Sequence, residues 1–260
     1  MPAPRRRMAL TAELVARSAR AVEDAGPSPG AVYLTDAEYD AFVRDTLARG
    51  PPGDLWVFGY GSLLWKPGFE HAESRMATVR GWHRAFCIKV ARFRGTRDLN
   101  GLMMALDRGG QCRDMVFRVP ADRAEAIPHA LFRRELVVRP PGTPPRWLAA
   151  RTDDGGSVQA LGFVVDRRSA FYSGKLPPEE VARILSTAAG HWGTCAEYLH
   201  STVARLEDPR PPRQQLVALA GPRGRHDRPP RVGIGSDPRR RGRRGGRPGQ
   251  VAPGNTVART

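Results

Sequence analysis

Val57-Phe58-Gly59-Tyr60-Gly61-Ser62-Leu63-Leu64-Trp65 changes character in its middle. Leu55-Trp56-Val57-Phe58 is a short apolar run rich in strand-forming residues, set behind the turn-prone Pro51-Pro52-Gly53-Asp54. That pattern predicts a buried strand. Two glycines then bracket Tyr60. Glycine reaches positive φ and has no Cβ, so the chain can turn sharply there and present bare backbone N–H groups to a small anion or polar ligand. Three familiar readings of such a loop fail. Gly59-x-Gly61-x-x-Leu64 lacks the third glycine of a dinucleotide fingerprint, and no Gly-Lys-Ser/Thr follows to make a phosphate loop. Ser62 has Gly61 before it but Leu64 two residues on, so it is not a nucleophile elbow. Locally, a ligand-holding loop and a plain glycine-containing strand exit both remain open.

Upstream, residues 8–24 read as an amphipathic helix through Leu10, Leu14, Val15 and Val22. Thr35-x-x-Glu38 is a capping box, and Tyr39, Phe42, Val43 and Leu47 form the apolar face of a second helix. Residues 1–54 thus read as an N-terminal helical extension to a main domain that starts near Leu55. Downstream the chain is rich in strands. Met76 to Val90 and Gly101 to Leu106 are two. Asp107-Arg108-Gly109-Gly110 reads as a hairpin turn, with Cys112 to Val119 as the returning strand. A helix is expected from Pro120 to about Leu136, kinked at Pro128. A further hairpin is centred on Asp153-Asp154-Gly155-Gly156. Helices follow from Pro177 to Ala188 and from Thr194-x-x-Glu197 to about Asp208. Strands and helices do not alternate regularly, which predicts an α+β fold with an antiparallel or barrel-like sheet, not a doubly wound one.

The 260 residues carry a formal charge of +16, which first suggests nucleic acid. The distribution argues against that for the body of the chain. Residues 209–260 hold thirteen Arg against two Asp, so most of the charge sits in this Pro-, Gly- and Arg-rich tail. Such a composition buries too little to order itself and is expected to be disordered. Its Arg239-Arg240-Arg241-Gly242-Arg243-Arg244-Gly245-Gly246-Arg247 run is similar to RNA-binding segments, so an RNA-associated protein acting through the tail is one alternative. A solvated tail, or the product of a reading-frame shift in a GC-rich gene, is the reading favoured by how charge runs usually behave. Cys87, Cys112 and Cys195 are scattered with no His partners at ligand spacing, so neither a disulfide framework nor a metal site is expected, and a cytoplasmic location fits. No secretory signal or membrane span is expected.

Taken in order, the motifs form a constellation. Phe58-Gly59-Tyr60-Gly61-Ser62-Leu63-Leu64-Trp65-x-Pro67 is followed by Arg80-Gly81-Trp82-His83-Arg84-x-Phe86-Cys87, Arg94-Gly95-Thr96 and Leu106-Asp107-Arg108-Gly109-Gly110-x-Cys112. Leu131-Phe132-Arg133-Arg134-Glu135-Leu136, Tyr172-Ser173-Gly174-Lys175-Leu176 and Gly193-Thr194-Cys195-Ala196-Glu197-Tyr198-Leu199 complete it. The set resembles the γ-glutamylcyclotransferases, and among them the ChaC-like, glutathione-specific branch. The resemblance covers about Leu55 to Asp208, the expected catalytic domain.

The resemblance implies a small mixed β-barrel with flanking helices. It also implies cleavage of glutathione, or of another γ-glutamyl amide, to 5-oxoproline and an amine, with no metal or organic cofactor. Glu135 matches the family's catalytic Glu. Phe58, Gly59, Tyr60, Gly61, Ser62 and Leu63 match its substrate-binding loop, and Tyr172 matches a tyrosine near the substrate. The chemistry is coherent, because the substrate's own amine is the nucleophile and one carboxylate suffices as acid and base. Judged without the family, Glu135 would read as a helix-end residue paired with Arg133, Arg134 or Arg139, and Tyr172 as an aromatic at the barrel edge. His83 and His191 read as structural. Cys195, just inside a helix start, reads as a buried small residue. Two departures stand out. Arg97-Asp98-Leu99-Asn100 replaces a shorter, Pro-bearing turn, and the Arg-rich tail stands where a second apolar helix should follow.

Overall fold

The computed structural model describes residues 9–207. In chain order its elements are α1 (Ala12–Ser18), β1 (Val32–Tyr33), α2 (Asp36–Ala48), β2 (Leu55–Gly59), α3 (Ser62–Trp65), β3 (Glu73–Val90) and β4 (Gly101–Val119). Then come α4 (Ala126–Glu135), β5 (Val138–Arg139), β6 (Pro145–Thr152), β7 (Ser157–Phe163), α5 (Pro178–Thr187), β8 (Ala189–Gly190), β9 (Gly193–Thr194) and α6 (Cys195–Glu207). The expected tail at 209–260, its possible RNA-binding run and the question of a further apolar helix all lie outside the described residues.

Five strands close into a barrel in the order β2-β4-β3-β6-β7. Every pairing is antiparallel except the one that closes the ring. There β2 runs parallel to β7, with Trp56 opposite Ala160 and Val57 opposite Leu161. Strand alternation divides the apolar residues into two sets. Phe58, Ala77, Val79, Leu106, Val116, Ala150 and Ala160 fill the barrel, the alanines making room for the larger side chains. Their neighbours Val57, Met115, Phe117, Leu161 and Phe163 point outward and are covered by Tyr39 and Val43 of α2 and by Leu131 and Phe132 of α4. At about 25 cal/mol per Å², each such buried side chain contributes roughly 1.5–3 kcal/mol, so this outer layer holds the helices onto the barrel. The predicted capping box of α2 is present, Thr35 accepting from the Glu38 amide while the Glu38 carboxylate accepts from that of Thr35.

Three local expectations are corrected. Asp107-Arg108-Gly109-Gly110 is not a hairpin turn. β4 runs unbroken through it, paired with β3 on both sides, and the register slips between Arg80 and Trp82. Gly81 on β3 (φ 82°) therefore faces Gly109 and Gly110 on β4 (φ 105° and 65°). This is a bulge that bends two long strands together, built from the same residues a turn would use. Pro128 does not kink a helix. A 3₁₀ turn at Ala121–Arg123 comes first, and α4 begins at Ala126, so Pro128 is its third residue, where no intrahelical acceptor awaits an N–H. Finally, the first helix stops at Ser18. Residues beyond it are drawn into tertiary contacts instead, with Arg20 donating to the Thr187 carbonyl and Asp24 pairing with Arg92.

Candidate active site

The glycine loop leaves the barrel at the end of β2. Gly59 lies against Phe117, whose ring would stand 2.5 Å from a Cβ at this position. Gly61 has φ 57° and ψ −128°, and a Cβ there would lie 2.6 Å from the Tyr198 hydroxyl oxygen. Both the backbone angles and the space require glycine. The Leu63 and Leu64 amides close the turn on the carbonyls of Tyr60 and Gly61, at 3.3 and 3.1 Å. Among the described residues the amides of Gly61 and Ser62 find no backbone acceptor of that kind. Leu63 and Leu64 are buried, and the Trp65 indole donates to Thr202 Oγ1 at 3.2 Å, which ties α3 to α6.

The side chains of this loop have separate tasks. Phe58 is wholly buried in the barrel and Leu63 nearly so, so each anchors the backbone. The Tyr60 hydroxyl donates to the Phe163 carbonyl at 2.6 Å, across the ring closure. The Ser62 hydroxyl accepts from Arg134 Nη2 at 2.8 Å.

Glu135 is the last residue of α4. Its surroundings are fixed by several anchors. The Leu136 amide bonds back to the Phe132 carbonyl at 2.7 Å, the Tyr39 hydroxyl donates to the Leu136 carbonyl at 2.6 Å, and Thr143 reaches the Glu135 carbonyl. Of the three arginines considered as its partner, Arg134 pairs with it, Nε to Oε1 at 3.2 Å. Arg133 turns instead to Asp36 and the Tyr39 ring, and Arg139 to Glu38. Burial raises the Glu135 carboxyl above the usual carboxylate range, and Arg134 offsets this only in part. The charge is felt by Tyr60 and Tyr198, whose hydroxyls are pushed up first by burial and then by Glu135. Glu135, Tyr60, Ser62, Gly61, Tyr198 and Arg134 therefore form one group.

Tyr198 was not singled out from the sequence. The sequence offers it only as a member of the Gly193–Leu199 motif; in the structure it is buried, with its hydroxyl oxygen 2.6 Å from where a Cβ at Gly61 would stand. Tyr172 belongs to an adjoining cluster with Cys87. Its hydroxyl donates to Asp107 at 2.9 Å, and Asp107 also accepts from Arg167 Nε at 2.6 Å and from the Arg108 amide at 2.7 Å. Cys87, Cys112 and Cys195 are free and buried, and burial raises the Cys195 thiol despite its place at a helix start. Arg97-Asp98-Leu99-Asn100 folds as a turn closed by the Thr96 amide on the Leu99 carbonyl at 2.9 Å. Among the described residues no cluster of His, Cys, Asp and Glu could hold a metal ion, and no helix is long and apolar enough to cross a membrane.

The closed mixed barrel with a glycine loop at its rim is the γ-glutamylcyclotransferase fold. A crystal structure of a γ-glutamylcyclotransferase specific to glutathione from yeast superposes with a TM-score of 0.55 at 16% identity, covering 63% of this chain and 90% of that one. The model of the family described as "ChaC-like protein" matches residues 55–219, and the chain belongs to that family. Curated relatives include the glutathione-specific γ-glutamylcyclotransferase of Escherichia coli (strain K12), 38% identical over 64% of this chain and 71% of its own length. Glutathione-specific γ-glutamylcyclotransferase 1 of Mus musculus is 31% identical over 68% of this chain and 76% of its own.

Proposed function

We propose that this chain is a γ-glutamylcyclotransferase that cleaves glutathione to 5-oxoproline and Cys-Gly. The observation that carries the reading is a half-buried, raised carboxylate paired with Arg134, set beside a glycine loop whose serine is engaged elsewhere. The names and identities of the relatives support it.

In the proposed reaction the substrate's α-amine attacks its own γ-carbonyl. The amine arrives as an ammonium, and Glu135 takes its proton. The C–N bond of the new five-membered ring forms, and the tetrahedral oxyanion is met by loop amides. The bond to the cysteinyl nitrogen then breaks as Glu135 gives its proton to that leaving amine, and the second proton of the ring nitrogen passes through Glu135 to the same amine, which departs as an ammonium. Holding the γ-glutamyl chain folded supplies much of the rate, since ring closure needs the amine within about 3–3.5 Å of the carbonyl carbon. A raised carboxyl suits both halves of the cycle, because its affinity for the proton lies nearer that of the amine it serves. This chemistry calls for no metal or organic cofactor. We place the reaction in residues 55–208, with 1–54 as an N-terminal extension, and in the cytoplasm, where three free thiols stay reduced.

The test is 5-oxoproline release by the purified chain across glutathione and other γ-glutamyl amides. Glutathione is expected to be turned over with the highest kcat/KM. A better γ-glutamyl amide would revise the substrate, and no release from any would overturn the assignment.

A further inference from the structure

Resting on the reading of Glu135 as acid and base, we propose that Arg134 is a positioning residue that sets the carboxylate of Glu135 and the glycine loop in one fixed relation. Adjacent residues on a helix point about 100° apart, so their side chains do not ordinarily meet. Here they do, because the guanidinium is held by the loop. Arg134 Nη2 donates to Ser62 Oγ at 2.8 Å, and Nη1 donates to the carbonyls of Lys66 and, at 3.1 Å, Pro67. Nε then stands 3.2 Å from Glu135 Oε1. One planar fork thus spans the start of α3, its exit and the end of α4, segments about seventy residues apart in sequence. Lysine, a point charge on a flexible stem, cannot hold three such places at once.

The neighbours of Glu135 make the electrostatic half of the role testable. Arg134 on its own helix is its cation, and Tyr60 beside the loop and Tyr198 on α6 are the titratable groups that feel its charge. Neither tyrosine supplies positive charge, so Arg134 is what holds the carboxyl down against burial.

The experiment compares Arg134→Gln, Arg134→Lys and a control, Arg133→Gln, in the full chain. Two readouts are used: the pH profile of kcat/KM for 5-oxoproline release, and the titration of the Glu135 carboxyl followed by carbon NMR. Arg134→Gln is expected to lower kcat/KM by about 100-fold, the scale for a misplaced reacting group, and to move both the acidic limb and the Glu135 titration upward in pH. Arg134→Lys should leave the limb near its wild-type position yet recover little of kcat, because charge returns without the fork. Arg133→Gln should move neither. A folded Arg134→Gln whose Glu135 titrates as in wild type overturns the proposal, as does an Arg134→Lys with full kcat. If the wild-type chain releases no 5-oxoproline, the functional reading fails. The NMR titration then still decides whether Arg134 governs Glu135.

Discussion

A buried carboxylate on β4, Asp107, and a half-buried one at the end of α4, Glu135, have been given opposite surroundings. Burial works against ionisation at Asp107, but Arg167, Tyr172 and the Arg108 amide outweigh it, and the carboxyl lies below its ordinary value. Glu135 meets the same penalty with one offset ion pair and lies above its ordinary value. The first is a strut. It ties the segment carrying Arg167 and Tyr172 to β4. The second keeps lone pairs uncommitted and holds a proton readily, which is what an acid and base needs. A raised carboxyl does not by itself mark a site, however. Asp114 in β4 is pushed up to about 6 by burial in spite of Arg84, yet no glycine loop adjoins it in the group described above. The loop beside Glu135 makes the difference.

The comparison breaks most sharply at the two carboxylates themselves. Glu135→Gln should lower kcat for 5-oxoproline release by about 10³-fold with the circular dichroism spectrum unchanged, in the range for loss of general acid–base catalysis. Asp107→Asn should leave activity within about tenfold while costing roughly 1–3 kcal/mol of stability in urea unfolding, since Arg167 loses its anionic partner and an NH2 replaces one of the two oxygens that accept from Arg167 and Tyr172. The reverse pattern would exchange the roles assigned to the two groups.

Gly61→Ala comes next. It places an L-residue at φ 57°, ψ −128° and drives a methyl into the Tyr198 hydroxyl, at a cost of about 1–3 kcal/mol from the backbone alone. Activity should fall sharply, and adding Tyr198→Phe should relieve the clash but not the strain. Full recovery in the double variant would mean that the glycine serves space only.

The pH dependence of stability separates the carboxylates by sign. Because the folded state holds the Glu135 proton more tightly than the unfolded chain, stability falls as pH rises from the ordinary value of 4.5 through the raised one. Asp107 contributes stability above its ordinary 3.8, and that contribution is lost as pH falls through its lowered value. Glu135→Gln should therefore gain stability relative to wild type as the pH rises from 3 to 7. Denaturant titrations of both proteins at the two pH values measure this. The smallest effect is expected from Tyr172→Phe, which removes one of three donors to Asp107. Stability should drop by about 1 kcal/mol, and KM should shift a few-fold in steady-state kinetics.

What could be read in the sequence was local. The strand ahead of Gly59 and the capping box at Thr35 depend on residues within a few positions of each other, and both are in place. The hairpin at Asp153-Asp154-Gly155-Gly156 is there too, for the same reason. The Asp107–Gly110 run shows the limit. Turn and bulge draw on the same glycines, and what decides between them is a pairing with Gly81 that only the folded sheet supplies. The end of the first helix was settled by Arg92 and Thr187, far away in sequence. At the candidate site, Glu135 and the loop stand out by their motifs. The choice among Arg133, Arg134 and Arg139 as partner does not, because it depends on which side chain the loop captures.

The parallel seam between β2 and β7 has a consequence for a chain still being made. The glycine loop emerges early in synthesis, but the Phe163 carbonyl that seats Tyr60 lies 103 residues later, and Trp56 and Val57 find their partners at Ala160 and Leu161. Ring closure over such a span is entropically late. A chain that ends before β7 therefore carries the motif without the Phe163 carbonyl that seats Tyr60 and without the strand that closes the barrel.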